Sequence, residues 1–307
     1  MRTDARARKI TSMLPLTHQP SSDGAITEEM ATRIYYDFTD KEATSVRLTT
    51  VKELRADVRD AMHGELTDMF STHTFVGVVD EQKRLAALQS GVKLFLVDYA
   101  MVCNEYFYQV GLTDFGNFGA IRFNPPLDIK EVLWLGAAAE AKKSERNAKL
   151  NWDDVVTAVS NQIISRRDML EEYFALEISE DGKLLALPLL VKDYQPSMAK
   201  LPHFLLRLGP HVNWLEEKPC FYTFLKELAS FYVPETLPPP LTASADGDSA
   251  NEKDNAELAA RRKHINYALE NVLFPAFKAR LIATRGLLKG VVEVANLKGL
   301  YRVFERC

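Results

Sequence analysis

Apolar side chains recur at helical spacing in the first strongly patterned stretch of the chain. Thr50 followed by Glu53 gives a capping-box pattern at its start. The apolar positions that follow are spaced three or four residues apart: Val51, Leu54, Val58, Met62, Leu66 and Met69. This pattern predicts one amphipathic helix over residues 50–71.

A β region is predicted directly after this helix. The segments 74–79, 84–89 and 92–97 are rich in apolar residues and are separated by polar or glycine-containing turns. Such spacing predicts a three-stranded antiparallel meander. Asp98 follows the third segment, and a short acidic side chain at this place is typical of a helix N-cap.

The rest of the chain mixes helical and strand patterns. Pro125 and Pro126 interrupt the pattern, and we take them as the start of a second region. The elements predicted beyond them are a helix over 151–176, strands over 175–178 and 184–191, a helix over 221–232 and a long helix over about 256–283. Residues 233–256 are rich in proline and acidic residues, which predicts a flexible loop. The pattern as a whole predicts an α+β module.

Composition narrows the function classes. The 307 residues are 47% hydrophobic and 26% charged, enough for a packed core. The net charge of −4 argues against nucleic-acid binding driven by bulk electrostatics, although a local basic patch stays open. Apolar runs are too short to predict a membrane span, and residues 1–14 lack the apolar core of a signal peptide.

Familiar catalytic patterns are missing from the sequence. The triplet Asp114-Phe115-Gly116 copies a kinase metal-binding triplet, but the accompanying catalytic loop and glycine-rich loop are absent. A helix that ends through Gly116 and Gly119 explains this segment better. The six histidines are scattered and form no zinc-ligand spacing. The residues therefore predict a non-catalytic module.

The chain ends on a cysteine. Cys103, Cys220 and Cys307 are odd in number and far apart, so they predict no disulfide framework and favour a reducing compartment. Cys307 carries a thiol and the α-carboxylate at one point, which would suit a soft metal ion. Its lone position in no ligand-spacing motif favours a solvated thiol instead. Spacing alone leaves both interpretations open.

A set of short strings, in this order, resembles one protein family. The strings are Phe75-Val-Gly-Val-Val79, Leu94-Phe-Leu96, Phe107-Tyr-Gln109, Asp114-Phe-Gly-Asn-Phe-Gly119, Leu187-Pro-Leu-Leu190, Leu201-Pro202, Arg207-Leu208, Val212-Asn-Trp214 and Phe304-Glu-Arg-Cys307. From about Leu48 to Cys307 the chain resembles the C-terminal domain of the shared eukaryotic MutL homologues of DNA mismatch repair, most closely the fungal form. The collinear order makes the match specific, although no single string would suffice.

The resemblance implies a fold and a division of the chain. The fold is a MutL C-terminal-type dimerisation domain of the α+β class, with small mixed sheets packed by helices and an inserted outer subdomain. The implied division is a flexible linker from an ATPase region over 1–44, the first part of the dimerisation subdomain over 45–125, the outer subdomain over 126–232, a disordered acidic and proline-rich loop over 233–256, and the C-terminal part of the dimerisation subdomain with the tail over 257–307.

The resemblance also implies a partner, a metal and a compartment. The family's domain pairs in the nucleus with a Pms-type MutL homologue, which holds a metal-dependent endonuclease site. The domain itself is not an enzyme. The family's terminal cysteine reaches across the dimer to the partner's zinc site, and Cys307 matches that position. Zinc is thus expected in the heterodimer alone, bound mostly by the partner, and no strong direct DNA binding is expected of this domain alone.

A peptide-docking site is implied by the same resemblance. In the family it binds short basic-aromatic motifs of repair factors, including an exonuclease and a glycosylase. Its residues map onto Leu48, Arg84, Gln89 and Glu217. A carboxylate facing a basic peptide residue would make a charge-assisted contact. Taken singly, each of the four is an ordinary surface residue or helix staple.

The dimer surface is harder to place from the sequence. An obligate pair buries more than about 2,000 Å² around an apolar centre. The candidates are the segment with Leu273 and Phe274 and the apolar tail with Leu297, Leu300, Tyr301 and Phe304. The tail could equally pack within its own subunit. The rival functions are a metal-dependent DNA endonuclease and a stand-alone DNA-binding module.

Overall fold

The computed structural model describes residues 33–37, 48–143, 149–239 and 249–296, and for 33–37 and 249–254 it describes the backbone alone. The helices are α1 (Thr49–Asp60), α2 (Gly64–Thr72), α3 (Tyr99–Thr113), α4 (Ile129–Ala141), α5 (Trp152–Ile164), α6 (Arg167–Phe174), α7 (Leu201–His211), α8 (Glu217–Tyr232), α9 (Ser249–Ala268) and α10 (Phe274–Arg280). The strands are β1 (Arg33–Asp37), β2 (Thr74–Asp80), β3 (Leu85–Ser90), β4 (Lys93–Asp98), β5 (Gly119–Asp128), β6 (Glu177–Ile178), β7 (Lys183–Leu189) and β8 (Val291–Asn296).

Two antiparallel sheets organise these elements. The first has the strand order β1-β5-β7-β6, and the second has the order β2-β3-β4-β8. Every pairing within both sheets is antiparallel. Helices pack against the sheets and against one another, and the buried apolar side chains form one continuous core. The predicted α+β class is confirmed.

The predicted meander is confirmed, and so is the helix cap after it. Strands β2, β3 and β4 follow one another and pair in that order. The Asp98 carboxylate accepts the backbone N–H groups of Ala100 at 2.9 Å and Met101 at 3.1 Å. Two otherwise unpaired donors at the start of α3 are thereby satisfied. Gly116, with φ +74°, turns the chain after α3, as the helix-end interpretation predicts.

The single helix predicted over 50–71 is wrong, because the structure divides it at residues 61–63. The Nδ1 atom of His63 accepts the Leu66 N–H at 3.2 Å and starts α2. The His63 backbone N–H donates to the Ala283 carbonyl at 2.8 Å, and the Arg285 N–H donates to the Ala61 carbonyl at 2.9 Å. The distant segment thus satisfies the backbone groups that the break releases. The apolar period continues through the break because both helices face one core.

Two other predicted boundaries are also corrected. Strand β5 runs through Pro125 and Pro126 to Asp128, so these prolines do not separate two regions. They lie where the pairing of β5 with β7 shifts register, a place where a missing N–H costs little. Strand β1 pairs with β5, so the linker predicted over 1–44 is wrong for residues 33–37. The rest of that linker lies outside the described residues.

Several predicted helices exist with different ends. The helix predicted over 151–176 is two helices, α5 and α6, with a break at Ser165 and Arg166. The helix predicted over 221–232 begins at Glu217, because Pro219 is tolerated in a first turn. The loop predicted over 233–256 is wrong from residue 249 onward, where α9 begins. The long helix is interrupted by a π-helical turn, Leu269–Leu273, and its last part, α10, ends at Arg280.

Of the helices described, none has both the length and the apolar character that a bilayer requires.

Gly136 lies where α4 packs closely on α7, beside Pro202. A Cβ atom added there would lie 2.7 Å from the Pro202 carbonyl oxygen and 3.0 Å from its carbon. Because backbone must move to relieve the clash, Gly136→Ala should lower the free energy of unfolding by about 1 kcal/mol or more, despite the better helix propensity of alanine. Urea unfolding monitored by circular dichroism measures the change.

Gly64→Ala is the matched control, because no heavy atom lies within 4 Å of the added Cβ in α2. It should leave the stability unchanged or raise it by less than about 1 kcal/mol. Equal stability of the two variants would contradict the packing argument.

Candidate functional site

The second sheet has an apolar outer face. Its strands place Phe75, Val78 and Leu88 against the core, while the residues between them point away from it. Four large outward side chains are exposed to solvent by 59%, 58%, 58% and 46%, and together they define the valine face: Val76, Val79, Val292 and Val294. An antiparallel sheet with one wet face usually alternates apolar and polar residues. The valine face breaks that rule.

The strand register extends this apolar character across the sheet. Ala87 on β3 pairs with Leu96 on β4, which in turn pairs with Val292 on β8. The four strands span about 14 Å across the sheet, and six residues of strand span about 20 Å along it. The resulting area is roughly 300 Å², comparable to the largest apolar patch on a typical monomeric protein, and such patches are often functional.

Leu273 and Phe274 do not belong to any such surface, which corrects their prediction as direct dimer contacts. Both side chains are 0% exposed in this chain. The Phe274 ring lies 4.5 Å from the ring of Phe75 and 5.1 Å from that of Phe277, between centroids. They fill the core under the inner face of the second sheet, so a partner cannot reach them. Leu297, Leu300, Tyr301 and Phe304 lie outside the described residues.

Leu48 and Glu217 are brought together by the packing of α1 on α8. Leu48 is the residue before α1, and Glu217 is the first residue of α8. The Thr50 hydroxyl donates to the Glu217 carboxylate at 2.5 Å. Lys218 pairs with Glu53 of α1 at 3.1 Å. These contacts join the two helix starts into one polar corner beside the half-buried Leu48.

Arg84 lies at the opposite end of α8. It precedes β3 in the left-handed conformation, with φ +57°, and lines a cleft together with Lys200 and Ser230. The Lys200 ammonium donates to the carbonyl oxygens of Ser230 at 2.7 Å and Val233 at 2.6 Å. Burial lowers the pKa of Lys200 to about 8. Because α8 has 16 residues, about 24 Å separates its two ends.

Gln89 occupies a third place. Its exposed side-chain amide donates to the Gly91 carbonyl at 3.2 Å, at the end of β3 away from Arg84. Five residues of extended strand span about 17 Å. The structure therefore brings Leu48 and Glu217 together and leaves Arg84 and Gln89 at two separate positions.

The described residues do not fit a zinc ion. They contain no group of three His, Cys, Asp or Glu side chains that could hold a metal. Burial raises the pKa of the Cys220 thiol to about 11 and that of Cys103 far above its usual range. Zinc binds the thiolate, so both cysteines are structural thiols at neutral pH. Cys307 lies outside the described residues.

Sequence patterns gave only a partial signal for the valine face. Val76 and Val79 fall in the predicted meander, and Val292 and Val294 fall in the apolar tail. Nothing local shows that β8 joins the sheet beside β4, some two hundred residues away along the chain. The pairing of β4 with β8 therefore places Val292 in line with Leu96 and Ala87, and it brings the exposed valines of β8 into the same sheet as Val76 and Val79.

Comparison with known proteins identifies relatives over most of the chain. The profile of the family described as "DNA mismatch repair protein Mlh1 C-terminus" matches residues 47–307. The DNA mismatch repair protein MLH1 of Saccharomyces cerevisiae is 44% identical over 275 residues, which are 87% of this chain and 35% of the relative. The putative MutL protein homolog 1 of Schizosaccharomyces pombe is 31% identical over 327 aligned residues, covering 100% of this chain and 44% of the relative.

A third relative comes from outside the fungi. The DNA mismatch repair protein Mlh1 of Dictyostelium discoideum is 30% identical over 273 residues, which are 85% of this chain and 30% of the relative. The chain thus spans less than half the length of these relatives. Two of the three are yeast proteins, as the resemblance to the fungal form predicts. The family match covers far more than half of the chain, and the chain belongs to the family of the Mlh1 C-terminus.

Proposed function

We propose that this chain is a non-catalytic pairing and docking domain in nuclear DNA mismatch repair. It pairs with a Pms-type MutL homologue, contributes one ligand to the partner's zinc site, and binds short basic-aromatic peptides of repair factors, among them an exonuclease and a glycosylase. The valine face is the observation that supports the proposed pairing. Soluble proteins seldom expose a contiguous apolar surface of this kind unless it binds something.

The valine face supplies the apolar centre of the proposed interface. Four exposed valines lie on two edge strands, and Ala87 and Leu96 lie between them, so the middle of this surface is apolar. When a partner covers this surface, the burial of apolar area stabilises the complex by about 25 cal/mol of free energy per Å². Its roughly 300 Å² is less than the about 800 Å² that one partner buries in a standard interface. Further surface must therefore take part, and the tail beyond β8 is the nearest candidate along the chain.

The proposed zinc contribution rests on Cys307. The described thiols are buried and protonated, so a thiolate ligand has to come from elsewhere in the chain. Cys307 matches the family's terminal cysteine, which reaches the partner's zinc site, and a thiolate suits zinc. The partner would supply the remaining ligands.

The proposed peptide site has a polar corner that suits a basic residue. The Glu217 carboxylate is exposed, and half-buried Leu48 offers apolar contact nearby. A peptide that also touched Arg84 would have to extend over about 24 Å, which needs roughly seven residues in extended form. Short motifs therefore engage either the Glu217 end or the Arg84 end of α8.

Lysine substitutions test the valine face. Val76→Lys and Val292→Lys each place a charge where the partner would bury it, and an unpaired buried charge costs several kcal/mol. Each should weaken pairing with a Pms-type C-terminal domain by about tenfold or more, measured by co-purification and by analytical ultracentrifugation. Both side chains are exposed, so the isolated chain should stay folded.

Leu135→Lys is the matched control, since Leu135 is 65% exposed on α4 and lies away from the second sheet. It should leave pairing unchanged. If the valine-face variants pair like the unmodified chain, or if the chain pairs equally well with itself, the proposed partner surface is wrong.

Removal of the terminal thiol tests the metal contribution. In the purified heterodimer, Cys307→Ser should lower the zinc content, or alter the thiolate-to-metal absorption band after cobalt substitution, because one sulfur ligand is lost. Cys220→Ser is the control, since the Cys220 thiol is held in the core. Identical metal content and an identical cobalt spectrum in all three proteins would exclude Cys307 as a ligand.

Charge reversal at the start of α8 tests the peptide corner. Glu217→Lys should weaken binding of a basic-aromatic peptide by about tenfold or more, because a charge-assisted contact becomes repulsive. Isothermal titration calorimetry gives the affinity. Glu216→Lys changes the charge equally on the exposed neighbouring residue and should retain binding. Equal affinity for the two variants would remove Glu217 from the site.

A further inference from the structure

Helix α1 separates its charged side chains by sign. One residue turns the helix by about 100°, so Glu53 and Asp57 share one flank. Lys218 of α8 pairs with both, at 3.1 Å from Glu53 and 3.3 Å from Asp57. One lysine therefore offsets one of the two negative charges on this acidic flank.

The other flank is basic and lacks such neutralisation. Lys52, Arg55 and Arg59 follow one another at spacings of three and four residues, so they form a row on one side of α1. The row is about 10 Å long. Within the described part of the chain, the side chains of Lys52 and Arg59 have no hydrogen bond or ion pair. Together with Arg280, these three residues are named the basic ridge.

Arg280 extends the ridge from α10. It lines one cleft with Arg55 and Arg59, and the volume of this cleft is about 230 Å³. Its Nη2 atom donates to both carboxylate oxygens of Asp114, at 2.8 and 3.1 Å. That carboxylate offsets one of the three guanidinium charges and leaves the cleft with a net positive charge.

Arg55 is held in place by backbone carbonyl groups. Its Nε and Nη2 atoms donate to the Leu112 carbonyl at 2.9 and 2.6 Å, and Nη2 also donates to the Thr113 carbonyl at 3.2 Å. Carbonyl groups are neutral, so they fix the side chain without cancelling its charge. A guanidinium has five N–H donors, and the two on Nη1 are not used by these bonds.

Among the described residues that line the cleft, Gln109 and Thr113 already use their side-chain donors within the protein. The Gln109 amide donates to Glu105 at 2.9 Å and to the Ile282 carbonyl at 2.8 Å, and its oxygen accepts the Ile282 N–H at 3.0 Å. The apolar side chains of Val58 and Leu112 line the rest. The cleft therefore offers charge and guanidinium donors, without further specificity.

We infer that the basic ridge binds the phosphate groups of a nucleic-acid backbone, independently of sequence. Guanidinium groups match the geometry of phosphate oxygens. A row about 10 Å long can reach about two neighbouring phosphates of one DNA strand, because the strand winds around the axis as it rises 3.4 Å per phosphate. A polymer with oxyanions at regular intervals is the ligand that such a row fits best.

The ridge is short, which sets the strength of this contact. Four cations with one paired carboxylate on a chain of net charge −4 give weak binding. Dissociation constants of about 10⁻⁴ to 10⁻⁶ M are expected at physiological salt, as for non-specific contacts. The contact would hold DNA against the domain rather than recruit it, in line with the expectation, drawn from the family resemblance, that this domain alone does not bind DNA strongly.

A salt titration tests this inference on the full 307-residue chain. Binding to a short fluorescent DNA duplex is followed by anisotropy from about 50 to 200 mM salt. The double variant Lys52→Gln, Arg59→Gln removes two cations without a partner in the described chain, so the fold should be retained. The slope of log affinity against log salt should become less steep by about 1.8, and affinity at low salt should fall roughly fivefold.

The control is the double variant Lys130→Gln, Lys263→Gln, which makes the same change in net charge on exposed residues of α4 and α9. It should keep the slope of the unmodified chain. An unchanged slope in the ridge variant, or an equal loss in the control, overturns the inference. Tighter binding of a phosphoserine peptide than of the DNA duplex, lost in the ridge variant, would assign the ridge to phosphopeptides instead.

Discussion

The burial of helix α3 is the constraint on which the rest of the structure depends. The helix is apolar nearly all round, which suits a helix surrounded by other elements. The Tyr106 ring packs 5.0 Å from that of Phe277, while Phe107 stacks at 5.3 Å on Tyr194. One helix thus holds together α10, the loop after β7, and α1 and α8 on its flanks. Because Asp98 ends β4 and caps α3, the second sheet is fixed to the same helix.

This arrangement explains where the proposed pairing and phosphate-binding surfaces lie. The inner face of the second sheet covers the core, and the exposed valines of β2 and β8 lie on its outer face. Helix α1 packs on α3 and α8 with its apolar side, which turns its acidic flank to Lys218 and its basic flank to the cleft near Arg280. The packing of α1 on α3 and α8 therefore places its apolar, acidic and basic side chains in different surroundings. A pairing surface and a phosphate-binding surface can then coexist without competing for the same residues.

The residues predicted for the candidate sites are separated or brought together by contacts between segments that are distant in the sequence. Leu48 and Glu217 lie near each other because the starts of α1 and α8 pack side by side and are joined by the hydrogen bond from Thr50 to Glu217. Arg84 and Gln89 lie at opposite ends of β3, about 17 Å apart. Leu273 and Phe274 are apolar and could have faced a partner, but the inner face of the second sheet covers them. Hydrophobicity predicts burial, and it does not tell a core from an interface.

The sequence by itself determined the α+β class, the meander β2-β3-β4, the Asp98 cap and the family, because these depend on short-range periodicity, capping and collinear strings. Only the tertiary structure decided the break at His63, whose freed backbone groups are bound by residues 283–285. It also decided that β8 completes the sheet and that Arg280 joins the ridge of α1. Each of these contacts joins residues about two hundred positions apart, and local patterns carry no information about which distant segments meet.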